Sequence, residues 1–219
     1  MPLDSALGHA PPSARLNLNG VGHGFEEDRF LFRNLKAEFT SNSVWGLRGP
    51  SGSGKSTLLS IIAGWEVPKE GYVERTKVST VRWVFQNPLG VPQRTALDHV
   101  TLPYLAVGHS RAHSEDLALQ RLAEFGLQGS AGKRFSLLSG GEAQRLMLAR
   151  AAAGNPDLIL VDEPTAQLDR ATAATINCVL GRLAQRGAIV IVASHDQDTL
   201  DACSDVLDLS LLGRGNRIT

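Results

Sequence analysis

The chain of 219 residues has no net charge, with Lys+Arg 22 set against Asp+Glu 22. It therefore lacks the basic field that holds a nucleic-acid backbone, and no nucleic-acid partner is expected. Long apolar runs are missing too. No stretch approaches the roughly 20 residues that span a bilayer, so a role at a membrane calls for a separate membrane-spanning partner. Cysteine is scarce: only Cys178 and Cys203 occur, without the spacing of a metal site. Both fall in stretches that read as helical, and both are expected to be small core or half-buried residues in a reducing cytoplasm. The opening segment Met1–Ala14 is rich in Pro and Ala and has neither a basic nor an apolar leader region, so a loose tail is expected there rather than a signal peptide. Beyond that tail there is no low-complexity tract and no internal repeat. From Ala14 onward the chain is long enough to bury a sizeable core in one large domain, taken here as 15–219.

Local patterning gives the class. Residues 16–39 alternate apolar and polar side chains with Gly and Asn between them, which predicts short antiparallel strands. Val44–Leu47 reads as a short buried strand, Lys55–Ala63 as a helix stopped at Gly64, and Val78–Phe85 as a further strand ending at Gln86. Pro88, Pro92 and Pro103 then mark a loop-rich stretch, followed by a helix over Ser114–Phe125 closed by Gly126. Glu142–Ala153 predicts another helix, with Gly154 as its stop and Pro156 just beyond. Leu158–Val161 and Ala188–Ala193 are unbroken apolar runs of the kind found in strands covered on both faces. Strands alternating with helices imply an α/β fold with a parallel sheet.

The most specific pattern is Gly49-Pro50-Ser51-Gly52-Ser53-Gly54-Lys55-Ser56-Thr57, which satisfies G-x-x-x-x-G-K-[ST] between a strand and a helix. Such a loop offers converging N–H groups and a helix N-terminus to a triphosphate. Lys55 is expected to reach the β- and γ-phosphates of a bound ATP or GTP, and the Ser56 hydroxyl to ligate Mg²⁺. Asp162 ends an apolar run, where an acid is costly unless it meets a cation, and Mg²⁺ would supply one. Glu163, next in the chain, is the candidate base for an attacking water. His109 and His113 have the i,i+4 spacing of a metal pair but no further ligand, and are taken as solvated.

A second pattern, Leu138-Ser139-Gly140-Gly141-Glu142-Ala143-Gln144-Arg145, resembles the signature of the ATP-binding cassette (ABC) family. Ser139 to Glu142 also fits a helix capping box. Gln86 between the two patterns, and the run Leu158–Glu163 and Ser194-His195-Asp196 after them, stand in the order that family uses, and the resemblance spans about Leu16 to Leu212. It implies a P-loop NTPase with a RecA-like core sheet, an N-terminal antiparallel β subdomain and an inserted helical subdomain at about 88–150. It implies a glutamine at Gln86 that senses Mg²⁺ and the γ-phosphate, a base at Glu163 and a γ-phosphate contact at His195. Phe25 stands where relatives place an aromatic ring under the adenine, while Phe30 and Phe32 read as core residues of the next strand. Ser139, Gly140, Gly141 and Glu142 would meet ATP held by a second copy, so a head-to-tail homodimer enclosing two ATP is implied. Glu142 and Ala143 depart from the commoner Gln-containing signature. Ala166-Gln167-Leu168-Asp169 resembles the loop that couples the two sites, and Arg48 departs from the apolar residue usual before the phosphate loop.

An integral membrane permease, contacted near the Gln86 loop and the helical subdomain, is the partner the resemblance implies, with the chain peripheral on the cytoplasmic face. Thr95-Ala-Leu-Asp-His-Val100 with Leu102-Pro103 is similar to the lipoprotein-releasing, macrolide-exporting and haem-exporting group, which implies export of an amphiphile, a lipoprotein, haem or a drug. Methionine importers share a similar stretch but usually carry a C-terminal extension. A mechanotransmitting ATPase of a cell-division complex would look nearly the same.

Overall fold

The computed structural model describes residues 14–25, 29–166 and 168–210. In β1 (Arg15–His23) Leu16 and Leu18 are buried between the half-buried Asn17 and Asn19, and the strand pairs antiparallel with β2 (Phe32–Thr40). β3 (Val44–Arg48) enters a different sheet, and a glycine-rich loop carries the chain into α1 (Lys55–Ala63). Gly64 ends α1 in the left-handed conformation, its N–H on the Ile61 and Ser60 carbonyls. β4 (Glu70–Thr76) then joins the free edge of β1, giving an antiparallel sheet ordered β2-β1-β4.

β5 (Val81–Val84) precedes three helices, α2 (Ala96–Ala106), α3 (Arg111–Glu124) and α4 (Gly140–Ala152). Strands and helices alternate from there: β6 (Leu158–Asp162), α5 (Arg170–Gln185), β7 (Ile189–Ala193), α6 (Gln197–Asp201) and β8 (Asp205–Asp208). The second sheet is parallel and ordered β5-β6-β7-β3-β8. Its central strands are covered on both faces, which is why their sequences are unbroken apolar runs. Ile159, Val161, Val190 and Val192 point into the core shared with α2 to α5, whereas Leu158, Leu160, Ile189 and Ile191 point toward α1 and the antiparallel sheet. The mixed α/β architecture is the expected one. No helix among the described residues is long and apolar enough to cross a membrane.

Several boundaries differ from expectation. The stretch broken by Pro88, Pro92 and Pro103 contains α2, with Pro103 inside it. A proline there removes one helical hydrogen bond and costs about 3 kcal/mol. Burial of Ala96, Val100 and Tyr104 against the neighbouring helices offsets that cost. A capping box also anchors the start, with Thr95 accepting from the Asp98 N–H and Asp98 accepting from Thr95. That T-x-x-D pattern is legible in the sequence. β5 begins at Val81 rather than Val78, because Ser79 and Thr80 leave the strand to bind Asp157: both backbone N–H groups lie 2.9 Å from its Oδ2.

Helix α3 starts at Arg111, capped by Ser110, and Ser114 is buried inside it. Helix α4 starts at Gly140, two residues before the expected Glu142. Strands β4 and β8 carry few buried side chains, so no apolar pattern announces them. Phe32 is buried as expected, but Phe30 is half-exposed beneath the Arg33 guanidinium, 4.2 Å from its ring. Cys178 is exposed on α5 and Cys203 half-buried, just past α6. The tail expected over Met1–Ala14 lies, apart from Ala14, outside the described residues, as does Gln167.

Candidate active site

The site is built where β3 and β6 end, on the edge of the parallel sheet from which α1 departs. Gly54 caps α1 with φ 97°, and a Cβ there would lie 2.9 Å from the Phe32 ring, so only glycine fits this turn. The loop thus brings the first-turn N–H groups of α1, which have no partner within the helix, to face a cleft of about 490 Å³. Phe25, Ser51, Gly52, Gly54, Lys55, Ser56, Thr57, Gln86, Asp162, Glu163 and His195 line it, and every one of them was singled out from the sequence. Leu31 lines it as well and was missed, being flanked by Phe30 and Phe32 in a pattern that reads as core.

Gly49, Pro50 and Ser53 do not line the cleft but shape it. Lys55 Nζ donates to the Gly49 carbonyl at 2.8 Å and the Pro50 carbonyl at 3.4 Å, and the Ser53 N–H donates to Pro50 at 3.1 Å. Arg48 ends β3 with its side chain turned outward, donating to Gln197 Oε1 at 3.1 Å and 4.0 Å from Asp208. A charged residue is accommodated there because it never enters the core.

The acids sit at the end of β6. Asp162 is hydrogen-bonded by Ser56; burial, and then the Glu163 carboxylate beside it, push its pKa above the ordinary carboxylate value despite Ser56 and Lys55. A half-buried carboxylate bonded to a hydroxyl is an oxygen donor set that suits Mg²⁺, which binds through one or two protein oxygens with waters and phosphates completing its shell. Among the described residues there is no cluster of three His, Cys, Asp or Glu that could form an all-protein cage. His109 and His113, exposed and with ring centroids 4.9 Å apart, gain no third ligand.

Glu163 leaves the sheet with φ 46°, a left-handed backbone that costs a glutamate of order 1 kcal/mol and belongs to sites that hold a side chain in a fixed place. Its N–H is tied to the Ala193 carbonyl at 2.8 Å. Its Oε1 lies 3.7 Å from Lys55 Nζ, while Oε2 accepts from the His195 backbone N–H at 3.3 Å and lies 2.9 Å from His195 Nδ1. The His195 ring is otherwise exposed. Below it, Asp196 accepts from the Thr199 N–H at 3.1 Å, the Thr199 hydroxyl at 2.7 Å and the Thr165 hydroxyl at 3.4 Å, clamping the loop after β7 to the loop after β6. The Phe25 ring stands edge-on to His23, centroids 5.9 Å apart, with most of its surface open.

Ser139, Gly140, Gly141 and Glu142 do not line this cleft. They form the N-terminus of α4, where Ser139 Oγ accepts from the Glu142 N–H at 3.2 Å and Glu142 returns the bond to the Ser139 N–H at 2.9 Å. The Glu142 carboxylate is further held by the Ser130 hydroxyl at 2.6 Å and Lys133 Nζ at 3.1 Å. The Ser130 bond first, then the Ser139 N–H, and more weakly Lys133 bring its pKa down to about 2. The capping reading is therefore satisfied in full, and the space around Gly140 stays open.

A family model described as "ABC transporter" matches residues 32–166. The aliphatic sulfonates import ATP-binding protein SsuB 1 of Rhodococcus jostii is 36% identical over 87% of this chain and 76% of its own length. The lipoprotein-releasing system ATP-binding protein LolD of Granulibacter bethesdensis is 32% identical over 85% of this chain and 90% of its own. Among solved structures, the dimeric bacterial ABC transporter cassette MJ0796 superposes with a TM-score of 0.76 at 29% identity, covering 89% of this chain and 94% of that one.

Proposed function

The chain belongs to the ABC transporter family, as its ATP-binding ATPase component, and on that premise we propose that it works as a head-to-tail pair of copies that drives a separate membrane permease from the cytoplasmic face. The observation that carries the pairing is a division of labour within one chain. The phosphate loop, Gln86, Asp162, Glu163 and His195 share a cleft, while Ser139–Gly141, at the N-terminus of α4, lie outside it with open space around Gly140. A second copy related by a two-fold axis would bring that N-terminus over the γ-phosphate.

In this reading Phe25 stacks on the adenine, and Lys55 with the loop amides binds the β- and γ-phosphates. Ser56, Asp162 and Gln86 would hold Mg²⁺, whose charge would offset that of the phosphates. Glu163 orients and polarises a water whose oxygen attacks the γ-phosphorus as the bond to the β-phosphate oxygen breaks, and His195 contacts the γ-phosphate while its Nδ1 steadies Glu163. Ser139, Gly140 and Gly141 supply the contacts from the second copy. Glu142, whose carboxylate is already committed to Ser130, Lys133 and Ser139, keeps that N-terminus in shape. Loss of the γ-phosphate contacts would let the pair open.

Export of an amphiphile follows from the likeness of Thr95–Val100 and Leu102-Pro103 to exporter ATPases, and the lipoprotein-releasing relative supports it. The sulfonate-import relative favours a second reading, uptake. Sedimentation tests the pairing: Glu163→Gln with ATP and Mg²⁺ should run as a dimer and without nucleotide as a monomer. A monomer under both conditions would refute it.

A further inference from the structure

His23 ends β1, and its backbone is fixed from two sides. Its carbonyl accepts from the Leu31 N–H at 2.8 Å, and the residue stands opposite Phe32 of β2. One position on, a Cβ at Gly24 would fall 2.1 Å from the Arg29 carbonyl oxygen, so the two sides of the turn meet here and only glycine fits. The turn that carries Phe25 is therefore pinned at its base. Leu31, on the far side of that closure, lines the cleft together with Phe25.

The Phe25 side chain itself is held by little. Its ring is 75% exposed, which leaves a face open for stacking. Among the described residues the ring that meets it is the His23 imidazole, inclined at 88° with centroids 5.9 Å apart. His23, by contrast, is buried and does not line the cleft. Its Nε2 lies 3.7 Å from Glu66 Oε1, beyond the Gly64 stop of α1, and its Nδ1 is buried with no hydrogen-bond partner among the described residues. The imidazole thus meets Phe25 as an aromatic wall, in the perpendicular arrangement that such pairs favour.

We propose that His23 is a positioning residue for the nucleobase: its fixed ring holds the Phe25 ring in the orientation that receives the base. The inference rests on the reading of Phe25 as the adenine platform and adds what sets that platform. A phenylalanine free to turn would have to be ordered when the base arrives, which lowers affinity roughly 2–10-fold. A ring already held by His23 avoids most of that loss.

Calorimetric binding of ATP and of tripolyphosphate to the full chain, without divalent metal so that turnover is halted, separates the base end of the site from the phosphate end. His23→Leu and His23→Met keep bulk without a ring. Each should weaken ATP about 3–10-fold and leave tripolyphosphate within about twofold, which also shows that the variant folds. His23→Phe should restore ATP binding to within about twofold of the unmodified chain. In a Phe25→Ala chain, already weaker for ATP, His23→Leu should add no further loss. Unchanged ATP affinity in both ringless variants would overturn the proposal and leave Phe25 as the platform. So would equal losses for ATP and tripolyphosphate, a His23→Phe chain as impaired as His23→Leu, or an ATP loss that persists without Phe25. A Phe25→Ala chain that binds ATP as tightly as the unmodified one would overturn both readings.

Discussion

Replacing Glu163 with Gln is expected to cut ATP turnover about 10²–10⁴-fold, the usual worth of a general base, or roughly 3–5 kcal/mol. The substitution keeps the shape of the side chain, and the amide oxygen can still accept from the His195 N–H that now lies 3.3 Å from the carboxylate. What disappears is the negative charge that would polarise water, together with the 3.7 Å ion pair to Lys55. Binding of ATP should survive or tighten slightly, since one negative charge near the γ-phosphate is removed. The check is single-turnover hydrolysis alongside equilibrium nucleotide binding. Near-normal hydrolysis in the Gln variant would move the base elsewhere in the cleft.

Lys55→Ala should separate binding from chemistry in the opposite sense. Lys55 is buried and presents its ammonium between the Gly49 and Pro50 carbonyls and Glu163. A triphosphate would exchange those contacts for charge-assisted bonds worth roughly 1.5–3 kcal/mol. Their loss predicts ATP affinity lower by about 10–10²-fold, with turnover falling further because the γ-phosphate loses its positioning. Titration of ATP by calorimetry reads the first effect. A variant that binds ATP as tightly as the unmodified chain would show that Lys55 does not touch the phosphates.

Much of the site was legible because its chemistry is local. The phosphate loop, the acids closing β6 and the histidine after β7 are contiguous segments, and each sits at the end of an apolar strand that announces itself by composition. The parallel sheet was legible for the same reason. What escaped depended on tertiary partners. Helix α2 tolerates Pro103 only because Val100 and Tyr104 are buried against other helices. The start of β5 is set by Asp157, 78 residues from Ser79. β4 has little buried surface and exists because β1 offers it an edge. Leu31 enters the cleft by the path of a loop, which no periodicity encodes. Glu142 read as a nucleotide contact, yet its carboxylate closes a network with Ser130 and Lys133 that only the folded chain brings together.

The most direct test of the central claim is to isolate a tagged Glu163→Gln chain from membranes of the source cells, with and without ATP and Mg²⁺, and identify what stays bound. The account predicts a multi-spanning permease retained with the chain. Ribosomes or nucleic acid in its place, with no membrane protein, would contradict it.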